Sequence, residues 1–124
     1  TIIAPPFAEP VFAAMQTGEY DYSRKALADI AACFNGTVHD FSSPSTLPGV
    51  SDCEFIDGFH GGDVVYARIL RDLARRDRTV HQILDAAFVD GFIATNAGHA
   101  SGLTQQRFLP AKEVDFLRLG CQKQ

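Results

Sequence analysis

The chain has 124 residues, 46% hydrophobic and 21% charged, a balance that fits one globular domain and excludes a disordered tail or two full domains. Its formal net charge of −4 gives no electrostatic footing for nucleic acid or an anionic membrane surface. No apolar run approaches the ~18 residues of a membrane span, and no segment has the pattern of a signal peptide.

Ile2-Ile3-Ala4, followed by Pro5-Pro6, predicts a short buried strand stopped by prolines. A hydrophobic strand opening at residue 2 is the pattern of a chain cut from a larger protein, so a fragment is expected. Residues 10–16 predict a helical turn or two, and 17–22 (TGEYDY) a polar connection. From Ser23, a candidate N-cap, Leu27, Ile30, Ala31 and Phe34 recur at helical spacing and predict a helix over about 23–35. Asn35-Gly36 closes it, with Gly36 expected in the left-handed position after the helix. Residues 37–41 (TVHDF) predict a second strand, and SSPSTLPG a loop of turn formers. Strand, helix, strand is a βαβ crossover, so the two strands should run parallel. Two parallel strands need cover on both faces and do not make a stable sheet alone. The expected partner is therefore a missing N-terminal half or a second copy of the chain.

A second helix is predicted over about 63–77, with Tyr66, Ile69, Leu70 and Leu73 as its apolar stripe. Arg68, Arg71, Arg75, Arg76 and Arg78 read as a solvated face, with Arg68–Asp72 and Asp72–Arg76 as i,i+4 pairs. Beyond it, TVHQILDAAF suggests helix, GFIATNAG a strand and turn, and AKEVDFLRLG a terminal helix or arm. The chain thus divides into an α/β portion, 1–77, and an extension, 78–124, packing on it or on a partner. Cys33, Cys53 and Cys121 form no CxxC or CxxxC pair and read mainly as structural thiols, with one disulfide and a spare thiol as the alternative. The ten Phe residues have no basic interleaving and read as core or partner contacts.

Ligands of open parallel sheets bind beyond the carboxyl ends of the strands. The loop IDGFHGGD leaves from that edge, so Asp57 and His60 are the candidate functional residues. In Asp57-Gly58-Phe59-His60 the three-residue spacing, flanked by glycines, lets a tight loop bring carboxylate and imidazole together. A carboxylate and an imidazole so placed are one candidate functional pair. Two other readings stand beside it. His60 bonded to Asp57 or Asp63 is also a way to begin a helix. Asp57, His60 and Asp63, with His39 and Asp40 near, offer metal-ligand types, but at no spacing typical of a metal site. No cofactor is implied.

Asp57-Gly58-Phe59-His60 resembles the Asp-x-x-His block near the C-terminus of SGNH (GDSL-type) hydrolases and acyltransferases. IIAPP is similar to that family's late strand ending in prolines, and VHDFSSP to its last strand, over residues 1 to 77. The general look resembles the extracytoplasmic SGNH-like acyltransferases and DltD-like proteins of bacteria. The resemblance implies a flavodoxin-like three-layer αβα sandwich, of which this chain is the C-terminal part. It also implies His60 as general base, Asp57 as its orienting carboxylate, an acyl ester or glycan substrate, and a periplasmic or other extracytoplasmic location. No Gly-Asp-Ser motif stands in these residues, so the serine is expected outside them. Within the chain, Ser42, Ser43 and Ser45 lie at the right edge but read as turn formers. Ser101 in GHASG lacks the glycine of a nucleophile elbow, since His99 stands there. Thr1 reads as a strand residue, and nothing near Cys53 marks it as an activated thiol.

Overall fold

The computed structural model describes residues 2–20, 22–34, 37–102, 115 and 117–121. It is a mixed α/β fold, mostly helical, with one small parallel sheet. β1 (Ile2–Ala4) ends at the prolines and leads into α1 (Glu9–Met15), which has Pro10 in its first turn, where a missing N–H costs nothing. α2 (Tyr22–Cys33) returns the chain to β2 (Val38–Asp40). The strands pair in parallel, Ile2 opposite Val38, Ile3 opposite His39 and Ala4 opposite Asp40, as the βαβ reading required. Phe41 N–H to the Ala4 carbonyl, at 2.9 Å, carries the pairing one residue further.

α2 begins at Tyr22, so Ser23 lies inside its first turn and does not cap it. Among the described residues nothing covers its apolar stripe: α2 buries no residue, and Ile30 and Phe34 are exposed. The expected closure at Gly36 lies outside the described residues.

α3 (Asp63–Arg76) is the central element. It packs against α4 (Arg78–Ile83) and α5 (Ala86–Asn96), so it is buried around most of its circumference. Val65, Ile69 and Leu73 join Ala8, Phe41, Leu47 and Phe55 in the main core. On another side, Ala67 meets Val89 and Ile93 of α5. The predicted stripe is corrected by this second contact. Ile69 and Leu73 are buried, whereas Tyr66 and Leu70 are exposed, on a strip that no element among the described residues covers.

The arginine face is corrected as well. Arg68 is only 6% exposed, and its guanidinium grips Glu54, which is 0% exposed, through Nε to Oε2 and Nη2 to Oε1, both 2.7 Å. Its Nη1 reaches the Pro48 carbonyl at 3.3 Å, and Gly98 N–H donates to Glu54 Oε1 at 3.0 Å. The Asp72–Arg76 ion pair forms as expected, at 2.8 Å. A planar fork meeting a carboxylate satisfies both charges where water cannot.

Asp77 and Asp85 cap α4 and α5 by accepting the N–H groups of Thr79, Val80 and Phe88. The strand and turn expected over GFIATNAG is therefore overturned. Once Asp85 starts a helix, Val89 and Ile93 lie one turn apart and seat together on α3, and the chain turns only at Gly98 (φ 85°). Half of AKEVDFLRLG, 111–114 and 116, lies outside the described residues. No helix among the described residues is long and apolar enough to cross a membrane.

Replacing Arg68 with Met strands a buried carboxylate, so the unfolding free energy in urea should fall by roughly 3–5 kcal/mol. Adding Glu54→Met should recover much of that loss, because such a pair replaced as a whole is close to neutral. A loss below about 1 kcal/mol for Arg68→Met would mean that the pair behaves as a solvated one.

Candidate active site

The site loop begins at the buried carboxylate. Glu54 accepts Gly62 N–H on its backbone oxygen at 2.9 Å, and Phe55 bridges Gly61 in antiparallel fashion. Ile56 N–H donates to the His60 carbonyl at 2.8 Å, closing a narrow loop with Asp57 to Phe59 at its tip. Asp57 Oδ1 holds that tip from inside, accepting Phe59 N–H at 3.0 Å and His60 N–H at 2.8 Å. Its second oxygen, Oδ2, lies 2.7 Å from His60 Nδ1.

The pair predicted from the sequence is thus brought together. With Nδ1–H donating to the carboxylate, Nε2 is the basic nitrogen of the neutral ring and has no hydrogen-bond partner among the described residues. The imidazole is 72% exposed on its side chain. Burial acts to raise the Asp57 carboxyl, but the hydrogen bonds from the His60 ring and from the N–H groups of His60 and Phe59, with the imidazolium charge, outweigh it. The group is held below the usual Asp range.

Four further features fix the loop in space. Gly58 adopts φ 90°, and a Cβ there would stand 2.9 Å from Leu117 Cδ1 and 3.0 Å from Val11 Cγ2, so only glycine fits without displacement. Its carbonyl accepts Ala8 N–H at 2.9 Å, and the Phe59 ring meets Phe7 edge-on at 6.2 Å between centroids. Finally, Cys53 and Cys121 form a disulfide across 68 residues, with Cα atoms 5.4 Å apart, which lays the segment carrying Leu117 against the loop. This corrects the reading of three structural thiols; Cys33 alone is free, and it is exposed.

The remaining candidates are not joined to the pair. Ser43 and Ser45 share a hydroxyl–hydroxyl bond of 2.7 Å, and Ser42 takes Asp40 as its backbone partner; among the described residues no hydrogen bond links any of them to His60. GHASG lies against the start of α3, with Ala100 packed on Gly62 and Gly102 N–H donating to Asp63 Oδ2. Cys53 is consumed by the disulfide, and Thr1 lies outside the described residues. No group of three or more His, Cys, Asp or Glu side chains suited to a metal ion occurs among the described residues.

Sequence reasoning missed Glu54, Arg68, Leu117 and the Cys53–Cys121 pairing. Arg68 carried a signal, since it stands three residues after Val65 and four after Val64 on a helix that needs cover there. The disulfide carried none, because connectivity cannot be deduced from such spacing. Compared with known proteins, the chain matches no family model, no curated protein and no solved structure.

A depressed carboxyl stabilises the fold above its ordinary pKa and ceases to do so as pH falls through the lower, folded value. The stability gap between the natural chain and Asp57→Asn should therefore be constant near neutrality and shrink below about pH 4. A gap that grows on acidification would show that the carboxyl is raised instead. For the disulfide, one thiol per chain should react before reduction and all three after it. Reduction should lower unfolding free energy by about 4 kcal/mol on the chain-entropy estimate for a loop of 68 residues.

Proposed function

We propose that Asp57 and His60 are the orienting carboxylate and general base of an SGNH-like serine esterase or O-acyltransferase whose serine is supplied from outside these residues. One observation carries this reading: Asp57 Oδ2 stands 2.7 Å from His60 Nδ1, in an imidazole whose Nε2 is unpartnered among the described residues and exposed. In that arrangement Nε2 removes the proton from a serine hydroxyl as Oγ bonds to the acyl carbon. The imidazolium, steadied by Asp57, then gives the proton to the departing alkoxide, leaving an acyl-enzyme. Water or a second hydroxyl, such as a glycan's, repeats the sequence in reverse and releases serine.

The finer fold reading belongs to the same proposal. Among the described residues β1 pairs on one side only, and α2 buries nothing, so the two strands are read as the last of a larger three-layer αβα sandwich. Further parallel strands would come from a missing N-terminal half or a second copy of the chain. The disulfide supports an oxidising, extracytoplasmic compartment.

The alternative is a non-catalytic α/β interaction module. It is favoured by Asp57 Oδ1, which closes the loop and would be needed with no chemistry at all. The two readings separate in the complete gene product. His60→Ala should cut hydrolysis of p-nitrophenyl acetate by about 10²–10⁴-fold with the far-ultraviolet dichroism unchanged. A fluorophosphonate probe should label a serine outside residues 1–124, and only when His60 is present. Unchanged turnover in the variant would end the catalytic reading in favour of the module.

A further inference from the structure

The Cys53–Cys121 disulfide does more than close a long stretch of chain, because both of its ends meet the candidate site. Cys53 stands beside Glu54, at the base of the loop that carries Asp57 and His60. Leu117, four residues before Cys121, reaches the tip of that same loop. A Cβ on Gly58 would stand 2.9 Å from Leu117 Cδ1 and 3.4 Å from Cδ2, so the leucine lies directly on the Gly58 backbone. Residues 117–121 are thus a strap, fastened covalently at the base of the loop and by an apolar contact at its tip.

The pair needs that tip in place. Asp57 Oδ2 meets His60 Nδ1 only while Asp57 Oδ1 keeps the N–H groups of Phe59 and His60, and these residues flank Gly58. The strap itself is a turn closed from within: the Asp115 carboxylate accepts the N–H groups of Leu119, Gly120 and Cys121 at 3.0, 2.9 and 3.2 Å. Arg118, Leu119 and Gly120 are exposed, and both joined cysteines are half-buried, so a small thiol reaches the bond. With the bond cut, the burial of part of one leucine does not offset the entropy of ordering 117–121.

We propose that the strap is a redox latch: the Cys53–Cys121 bond holds Asp57 and His60 in their bonded geometry, and its reduction releases them. This rests on the acyl-transfer reading and adds its regulation, with Leu117 as a positioning residue that acts through Gly58. The latch closes when two cysteine thiols exchange with a small disulfide, R–S–S–R, giving the protein disulfide and two R–SH. A dithiol opens it, returning both protein sulfurs to thiols and closing to its own cyclic disulfide. An esterase so built stays idle under reducing conditions and is set for work on reaching an oxidising compartment.

The test uses the complete gene product, labelled at its histidine nitrogens, oxidised, reduced with dithiothreitol and reoxidised with oxidised glutathione. The His60 ring signals, identified by their loss in His60→Ala, are read at about pH 9, above the ordinary imidazole range. They should show the proton fixed on Nδ1 in the oxidised chain and mixed tautomers after reduction. Over the same change, kcat for p-nitrophenyl acetate should fall by about 10²-fold with KM little altered, and reoxidation should restore both readouts. Leu117→Ala keeps the disulfide and should reproduce the mixed tautomers and the fall in kcat, whereas Leu117→Met, of similar volume, should restore the natural behaviour. A proton still fixed on Nδ1 after reduction, or in Leu117→Ala, overturns the latch. Loss of the far-ultraviolet dichroism on reduction also overturns it, making the bond a prop of the whole fold. Tautomer changes in a protein that hydrolyses no ester keep the latch and overturn acyl transfer. Ester turnover that reduction leaves unchanged overturns the latch and leaves the catalytic reading standing.

Discussion

The contact between Glu54 and Arg68 organises the molecule. It joins the segment before the site loop to the middle of α3 by two charge-assisted bonds of 2.7 Å, with Glu54 wholly out of solvent. The carboxylate also draws in Gly98 N–H after α5, and the guanidinium draws in the Pro48 carbonyl. Three stretches, 48–54, α3 and the turn at Gly98, therefore converge on one pair of charges. Burying either charge alone would be prohibitive, so forming this contact obliges the elements around it to take up one arrangement.

The candidate site inherits its geometry from that arrangement. The backbone of Glu54 pairs with Gly62, and within this short frame Phe55 faces Gly61 and Ile56 bonds to His60. Asp57 then does two things at once: one oxygen closes the loop, the other orients the imidazole. A carboxylate whose position is set by backbone donors cannot swing away from the histidine, which is the preorganisation that base catalysis needs. Leu117, held near by the Cys53–Cys121 bond, and Val11 of α1 fill the space beside Gly58 and support the same loop from outside.

Legibility varied with the range of the interaction that decides each feature. β1, β2 and their parallel sense were readable because the strands are short apolar runs with turn signals and the helix between them leaves only a crossover. α3 was readable as a helix, but its buried face was not. Ile69 and Leu73 follow ordinary helical spacing, whereas the exposure of Tyr66 and Leu70 depends on where α4 and α5 happen to lie. The same dependence misled the reading of GFIATNAG, whose short apolar run suits a strand or a helix until Val89 and Ile93 find Ala67. Arg68 looked like one more solvated arginine because its partner is 14 residues upstream and on another element.

By itself, the sequence determined the α/β class, the βαβ crossover and the meeting of Asp57 with His60. All three follow from interactions within a few residues or from chain connectivity, which leave signatures in spacing and turn residues. Only the tertiary structure decided which arginine is buried, which cysteines are joined and why Gly58 has no room for a side chain. Each of these depends on groups brought together from distant parts of the chain, where neither periodicity nor local propensity carries information about the partner.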